Sequence, residues 1–73
     1  MYLQQFIVEY MYGTQLINVF IKCNGLSFPV ITREQCRDVV LNDNYTKFLN
    51  STVESINTYP DDCAINIFII LEE

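Results

Sequence analysis

The sequence predicts a small α+β domain: two layers, with a three-stranded, mostly antiparallel sheet carrying helix on one face. Three observations predict it. Residues 2–12 (YLQQFIVEYMY) and 15–24 (QLINVFIKCN) are rich in β-branched and aromatic residues, and Gly13-Thr14 separates them. A middle stretch repeats its apolar residues at helical spacing. Residues 63–71 (CAINIFIIL) then return to the β-branched pattern of a strand.

Taken in order, glycine first in a two-residue connection is the signature of a type II′ hairpin, so 2–12 and 15–24 read as the first two strands. Such a turn pairs Tyr12 with Gln15, which sets Tyr10 opposite Ile17, Val8 opposite Val19 and Phe6 opposite Ile21 on one face. The other face carries Met11 opposite Leu16, Glu9 opposite Asn18, Ile7 opposite Phe20 and Gln5 opposite Lys22. A one-residue slip would scramble this sorting. Residues 25–31 read as a loop punctuated by Gly25 and Pro29. Thr32-Arg33-Glu34-Gln35 fits a capping box, behind which Cys36, Val39 and Val40 follow helical spacing.

Asn42-Asp43-Asn44 is poor helix material and marks a kink or break. Tyr45, Phe48, Leu49, Thr52, Val53 and Ile56 resume the period, predicting helix over 44–57. Residues 58–62 turn the chain into the last strand. The order is β-β-α-β, or β-β-α-α-β if the break is real. One long helix brings the last strand parallel to the second, paired antiparallel with the first, in order 2-1-3; two helices give order 1-2-3. The sequence reads as one domain, 1–73, with no internal repeat.

The helical layer has one apolar stripe and covers one sheet face. That face should hold Phe6, Val8, Tyr10, Ile17, Val19, Ile21, Ile65, Ile67 and Ile69. The other carries Leu3, Ile7, Met11, Leu16, Phe20, Phe68 and Ile70 among Gln5, Glu9, Asn18, Lys22 and Asn66, so it alternates only in part. In a chain of 73 residues, 51% of them apolar, this is more apolar surface than a small core hides. By area scaling such a chain exposes roughly 4,700 Å² folded against roughly 12,500 Å² unfolded. The excess implies self-association or a partner.

Nine acidic residues face Lys22, Arg33, Arg37 and Lys47, for a net charge of −5. Phosphate binding needs clustered cations, so no direct nucleic-acid contact is expected, and the acidity favours approach to a basic protein surface. Cys23, Cys36 and Cys63 are widely spaced and lack a CxxC pair. With no basic, apolar leader at the start, reduced thiols and a cytoplasmic setting are expected. No apolar run is long enough for a helix to cross a bilayer, so no membrane is expected.

Cys36 is the most enzyme-like residue, near a helix start between Arg33 and Arg37, where dipole and guanidiniums would lower a thiol pKa. The chain contains no histidine, however, and Cys36 is in phase with Val39 and Val40, which makes it a small core residue. Asp61-Asp62 and Glu72-Glu73 are adjacent pairs whose side chains diverge; they bracket the last strand as charged guards against aggregation. No catalytic residue, metal or cofactor is implied, and the expected function is non-enzymatic protein binding. The candidate interaction residues are Ile7, Glu9, Met11, Leu16, Phe20, Asp38, Asp43, Asp61, Asp62, Phe68 and Ile70.

In size, acidity and Asn/Ile/Tyr-rich composition the chain resembles the small accessory proteins of phages and mobile elements, among them anti-CRISPR and other anti-defence inhibitors and toxin-neutralising proteins. The resemblance is one of kind and covers no motif. It implies an inhibitor that occludes a basic nucleic-acid-binding groove on a host protein, with Glu9, Phe20, Asp38, Asp43, Asp61 and Asp62 as contacts. The alternative is a structural homo-oligomer, a homodimer or virion or scaffold component, that uses the second apolar sheet face for self-assembly.

Overall fold

The computed structural model describes residues 1–58 and 63–71. The fold is α+β, with short helices packed on one face of a mixed sheet that has four strands where the sequence predicts three. Residues Leu3–Tyr10 form helix α1, so the predicted N-terminal hairpin does not exist. Leu3, Phe6, Ile7 and Met11 fall at i, i+3, i+4 and i+8, the spacing of one helical face. Leu3 and Ile7 are buried, while Val8 and Tyr10, expected inside, are exposed. Gln4, Gln5 and Glu9 favour helix over strand. Gly13-Thr14 is still a turn, closed by Gln15 N–H donating to Tyr12 O at 3.0 Å. Gly13 lacks the positive φ that a type II′ hairpin requires.

The real hairpin lies one element later. Strands β1 (Leu16–Cys23) and β2 (Leu26–Gln35) pair antiparallel with Cys23 opposite Leu26. The two residues between them, Asn24 (φ 54°) and Gly25 (φ 80°), are both left-handed. Positive φ at both positions is the type I′ turn, whose twist matches that of the strands, and Asn-Gly is its preferred dipeptide. Residues 25–31, read as a loop, are thus mostly strand, with Pro29 tolerated because β2 is an edge.

Helix α2 (Cys36–Leu41) begins three residues after the start that a Thr32 cap predicts, and no capping box forms. Thr32–Gln35 belongs to β2, and Gln35 stands at the N-cap without a side-chain bond. The orphan N–H groups of Cys36 and Arg37 donate instead to the carbonyls of Gln15 and Gly13, each at 2.9 Å. A Cβ at Gly13 would meet Arg37 Cβ at 3.4 Å, at the near edge of ordinary van der Waals contact.

The break at Asn42 is real. Asn42 Oδ1 accepts from Asn44 N–H at 2.9 Å, starting a 3₁₀ turn (Asp43–Tyr45) that runs into the one-turn helix α3 (Thr46–Leu49). Buried Ser51 closes it, its hydroxyl donating to Lys47 O at 2.8 Å while its carbonyl accepts from Leu3 N–H.

Beyond Ser51 the predicted helix over 44–57 gives way to strand β3 (Thr52–Thr58). A bulge between Val53 and Ser55 explains the misleading period. Val53 pairs with Ile69, Ser55 with Phe68 and Ile56 with Ile67. The extra residue puts Val53 and Ile56, three apart, on one face, which imitates helical spacing.

Strand β4 (Ala64–Ile70) completes the sheet in the order β2-β1-β4-β3. It runs parallel to β1, the direction that a single long helix predicts, but it pairs with β1 directly and with β3 on its other side. Neither predicted order, 2-1-3 nor 1-2-3, survives, because residues 2–12 are helix and β3 supplies the second neighbour. The β1/β4 register sets Ile17-Asn18-Val19-Phe20-Ile21 beside Ile65-Asn66-Ile67-Phe68-Ile69, like residue against like. This is a short internal repeat that the linear reading misses. Ile17, Val19, Ile31, Ile67 and Ile69 form the buried inner face against Leu3 and Ile7 of α1, Cys36 and Val39 of α2 and Leu49 of α3.

Candidate functional site

Strand alternation turns Leu16, Asn18, Phe20 and Lys22 of β1, with Asn66, Phe68 and Ile70 of β4, onto the face opposite the helices. No described helix lies on that face. Its centre is two in-register ladders. Phe20 and Phe68 stack with ring centroids 5.1 Å apart and planes inclined by 20°. Lys22 Nζ lies 5.3 Å from the Phe68 centroid and 3.4 Å from Glu54 Oε1, so one cation caps the stack and is itself neutralised. Beside the rings, Asn18 Nδ2 donates to Asn66 Oδ1 at 2.8 Å, and Asn18 Oδ1 accepts from Arg33 N–H at 2.7 Å. Arg33 sits at φ 47°, in the left-handed region, where β2 departs from regular pairing with β1.

The candidate residues divide by layer. Leu16, Phe20, Phe68 and Ile70 come together on this outer face. Ile7 and Met11 do not, because α1 turns them inward: Ile7 is 3% exposed and Met11 is packed against the core. Glu9, Asp38 and Asp43 are exposed on the helical layer. Asp61 and Asp62 lie outside the described residues. Glu9, Asp38 and Asp43 therefore do not share a patch with the aromatic candidates.

The helical side has its own apolar feature. A cleft of about 340 Å³ lies between α1 and α2, with buried Ile7 and Cys36 at its base, Met11 and Val40 beside them, and exposed Val8 and Leu41 at its rim. Arg37 is the charged residue in its lining. Val8 (67% exposed) and Leu41 (79%) are more open to solvent than any apolar side chain of the outer sheet face. The alternation of a strand over 2–12 puts Val8 inside, whereas the helical period of 3–11 turns it outward.

Cys36 has no measurable exposure, and its Sγ lies 3.6 Å from Met11 Sδ. Burial pushes its thiol pKa up, the opposite of an activated nucleophile. Tyr45 donates its phenolic hydrogen to Glu34, and that bond, reinforced by burial and the carboxylate charge, raises the tyrosine pKa. The three cysteines are free thiols, Cys23 and Cys63 exposed. Among the described residues no cluster of His, Cys, Asp or Glu is placed to hold a metal, and no helix is long and apolar enough to cross a membrane. No protein-family model, curated protein or solved structure matches the chain.

Proposed function

We propose that this chain is a non-enzymatic protein-binding domain that docks through the open face of its sheet, in the manner of the small inhibitors of phages and mobile elements. The observation that carries the proposal is the Phe20–Phe68 stack, with Ile70 next along β4 and Leu16 beyond the Asn18–Asn66 pair, on a face that no described helix covers. Aromatic anchors at the centre of a patch with polar neighbours are the usual anatomy of a binding hot spot. Asn18, Asn66 and the Lys22–Glu54 pair already satisfy one another, so a partner can desolvate them without leaving a buried charge unpaired.

The net charge of −5 selects a basic partner surface, such as the groove of a nucleic-acid-handling protein, which the domain would occlude. Glu9, Asp38 and Asp43 lie on the far layer, and layers pack about 10 Å apart, close to the Debye length of about 8 Å at physiological salt. Those carboxylates therefore steer the approach and add little to the contact itself.

The test is affinity capture from the source cell with wild-type protein and with Phe20→Glu and Phe68→Glu, each checked for folding by circular dichroism. A captured protein retained by wild type and lost with both folded variants supports the proposal. Identical capture by all three refutes docking through the sheet face.

A further inference from the structure

We propose that the α1/α2 cleft is a self-association site, filled by a second copy of the chain across a two-fold axis. Each Leu41 enters the other copy's cleft, and each Asp38 meets the other copy's Arg37. A two-fold interface must carry knob and hole in one patch, because the same surface meets itself. Helix α2 meets that condition. Asp38 and Leu41 are three apart and share an outward stripe, while Arg37, Val40 and Leu41 at i, i+3 and i+4 line the cleft.

Charge selects the occupant. Neither Arg37 nor Asp38 has a charged partner among the described residues. Within one chain they cannot pair across the cleft, since adjacent helical residues point about 100° apart. A two-fold axis gives each the opposite charge it lacks, twice over. The same contact removes Leu41 and Val8 from water, the most exposed aliphatic residues of the two helices.

The helical layer is small, within a molecule measuring 30 × 27 × 19 Å. The contact therefore belongs with weak interfaces of under about 1,200 Å², and a concentration-dependent equilibrium is expected, not an obligate dimer. It uses the face opposite the Phe20–Phe68 stack and leaves that stack free, so the two surfaces can be tested separately.

Sedimentation velocity across roughly 1 μM to 1 mM spans the range of a weak dimer. The mass should rise from 8.6 kDa toward 2 × 8.6 = 17.2 kDa. Leu41→Ser should weaken association at least about tenfold, as expected for an anchor at the centre of a contact. Arg37→Asp alone and Asp38→Arg alone should each abolish association, by setting like charges together. The double swap Arg37→Asp/Asp38→Arg keeps the net charge and should restore association to within a few-fold, which general acidity or stickiness would not do. Phe20→Glu should leave the equilibrium unchanged.

A wild type that stays at the monomer mass throughout overturns the proposal. So does a folded double swap that fails to restore the dimer, or a dimer lost with Phe20→Glu and kept with Leu41→Ser. If a charge variant fails to fold by circular dichroism, the comparison of Leu41→Ser with Phe20→Glu still decides, because both positions are at the surface.

Discussion

Asn18 ties three strands together, and its removal should cost about two hydrogen bonds. Its carbonyl oxygen accepts the backbone N–H of Arg33 on β2, and its amide donates to Asn66 on β4. Arg33 is held at φ 47°, a conformation that costs a non-glycine residue roughly 1 kcal/mol and persists only where neighbours impose it. A net hydrogen bond contributes about 1 kcal/mol, so Asn18→Ala should destabilise the domain by about 2 kcal/mol. At roughly 0.05–0.15 kcal/mol per residue, the whole domain has about 4–11 kcal/mol. The loss is therefore a large share, equivalent to a melting-temperature drop of about 10 °C.

Urea unfolding followed by far-ultraviolet circular dichroism measures it, with Asn18→Asp as the control. The introduced carboxylate still accepts from Arg33 N–H, and it accepts from Asn66 once that amide rotates. Its cost should stay below about 1 kcal/mol at pH 7. Because both bonds favour the ionised form, the carboxyl pKa in the folded state falls below its unfolded value. The stability retained is then fully present above about pH 4, the unfolded pKa, and is lost as pH falls through the lower folded one. If Asn18→Ala costs under about 0.5 kcal/mol, or Asn18→Asp costs as much as Asn18→Ala at pH 7, the ladder argument fails.

Other perturbations separate backbone, core and titration effects. Gly25→Ala should cost about 1 kcal/mol in the same urea assay; no atom lies within 4 Å of the added Cβ, so the cost is that of φ +80° alone. Leu3→Ala empties a fully buried site and should cost about 2–5 kcal/mol, enough to leave a substantial unfolded fraction at 37 °C. In a thiol-disulfide reagent assay Cys23 and Cys63 should react quickly and Cys36 only through opening of the fold; three equal rates would contradict its burial. Tyr45 keeps its proton more tightly when folded, so the stability its bond to Glu34 confers is present below the unfolded tyrosine pKa near 10. It is lost as pH rises through the higher folded value, so the difference between wild type and Tyr45→Phe in urea unfolding should close at strongly alkaline pH.

The strands with plain alternation were legible in the sequence. Ile17, Val19 and Ile21, and Ile65, Ile67 and Ile69, stand on the helix-covered face as the alternation of β1 and β4 predicts, with Leu16, Phe20, Phe68 and Ile70 opposite. Two segments misled for opposite reasons. Residues 2–12 satisfy periods of 2 and 3.6 at once, and only the glutamines and Glu9 tip the balance toward helix. In 52–58 a bulge shifts the alternation by one, so a real strand carries a helical signature. The turn chemistry favoured Asn24-Gly25 over Gly13-Thr14, since Asn-Gly supplies positive φ at both central positions. The split between the aromatic candidates and Glu9, Asp38 and Asp43 was not legible, because it depends on which face each element turns outward. Leu41 could not be found for the same reason: its exposure follows from where α2 ends against α1.

The pairing of β1 with β4 also sets the order of assembly. Partners such as Leu16 and Ala64, or Phe20 and Phe68, are 48 positions apart, whereas the Asn24-Gly25 hairpin closes locally. Closing so long a loop costs entropy before any contact repays it, so the hairpin forms first and the parallel centre of the sheet last. On a ribosome, the strand that completes the middle of the sheet emerges after all of its neighbours. Until Ile70 is free, one side of β1 stays an unpaired apolar edge, the kind of surface chaperones bind. Synthesis paused shortly before residue 64 should therefore leave a chaperone-dependent, protease-sensitive chain, and release of the last seven strand residues should close it in a single step.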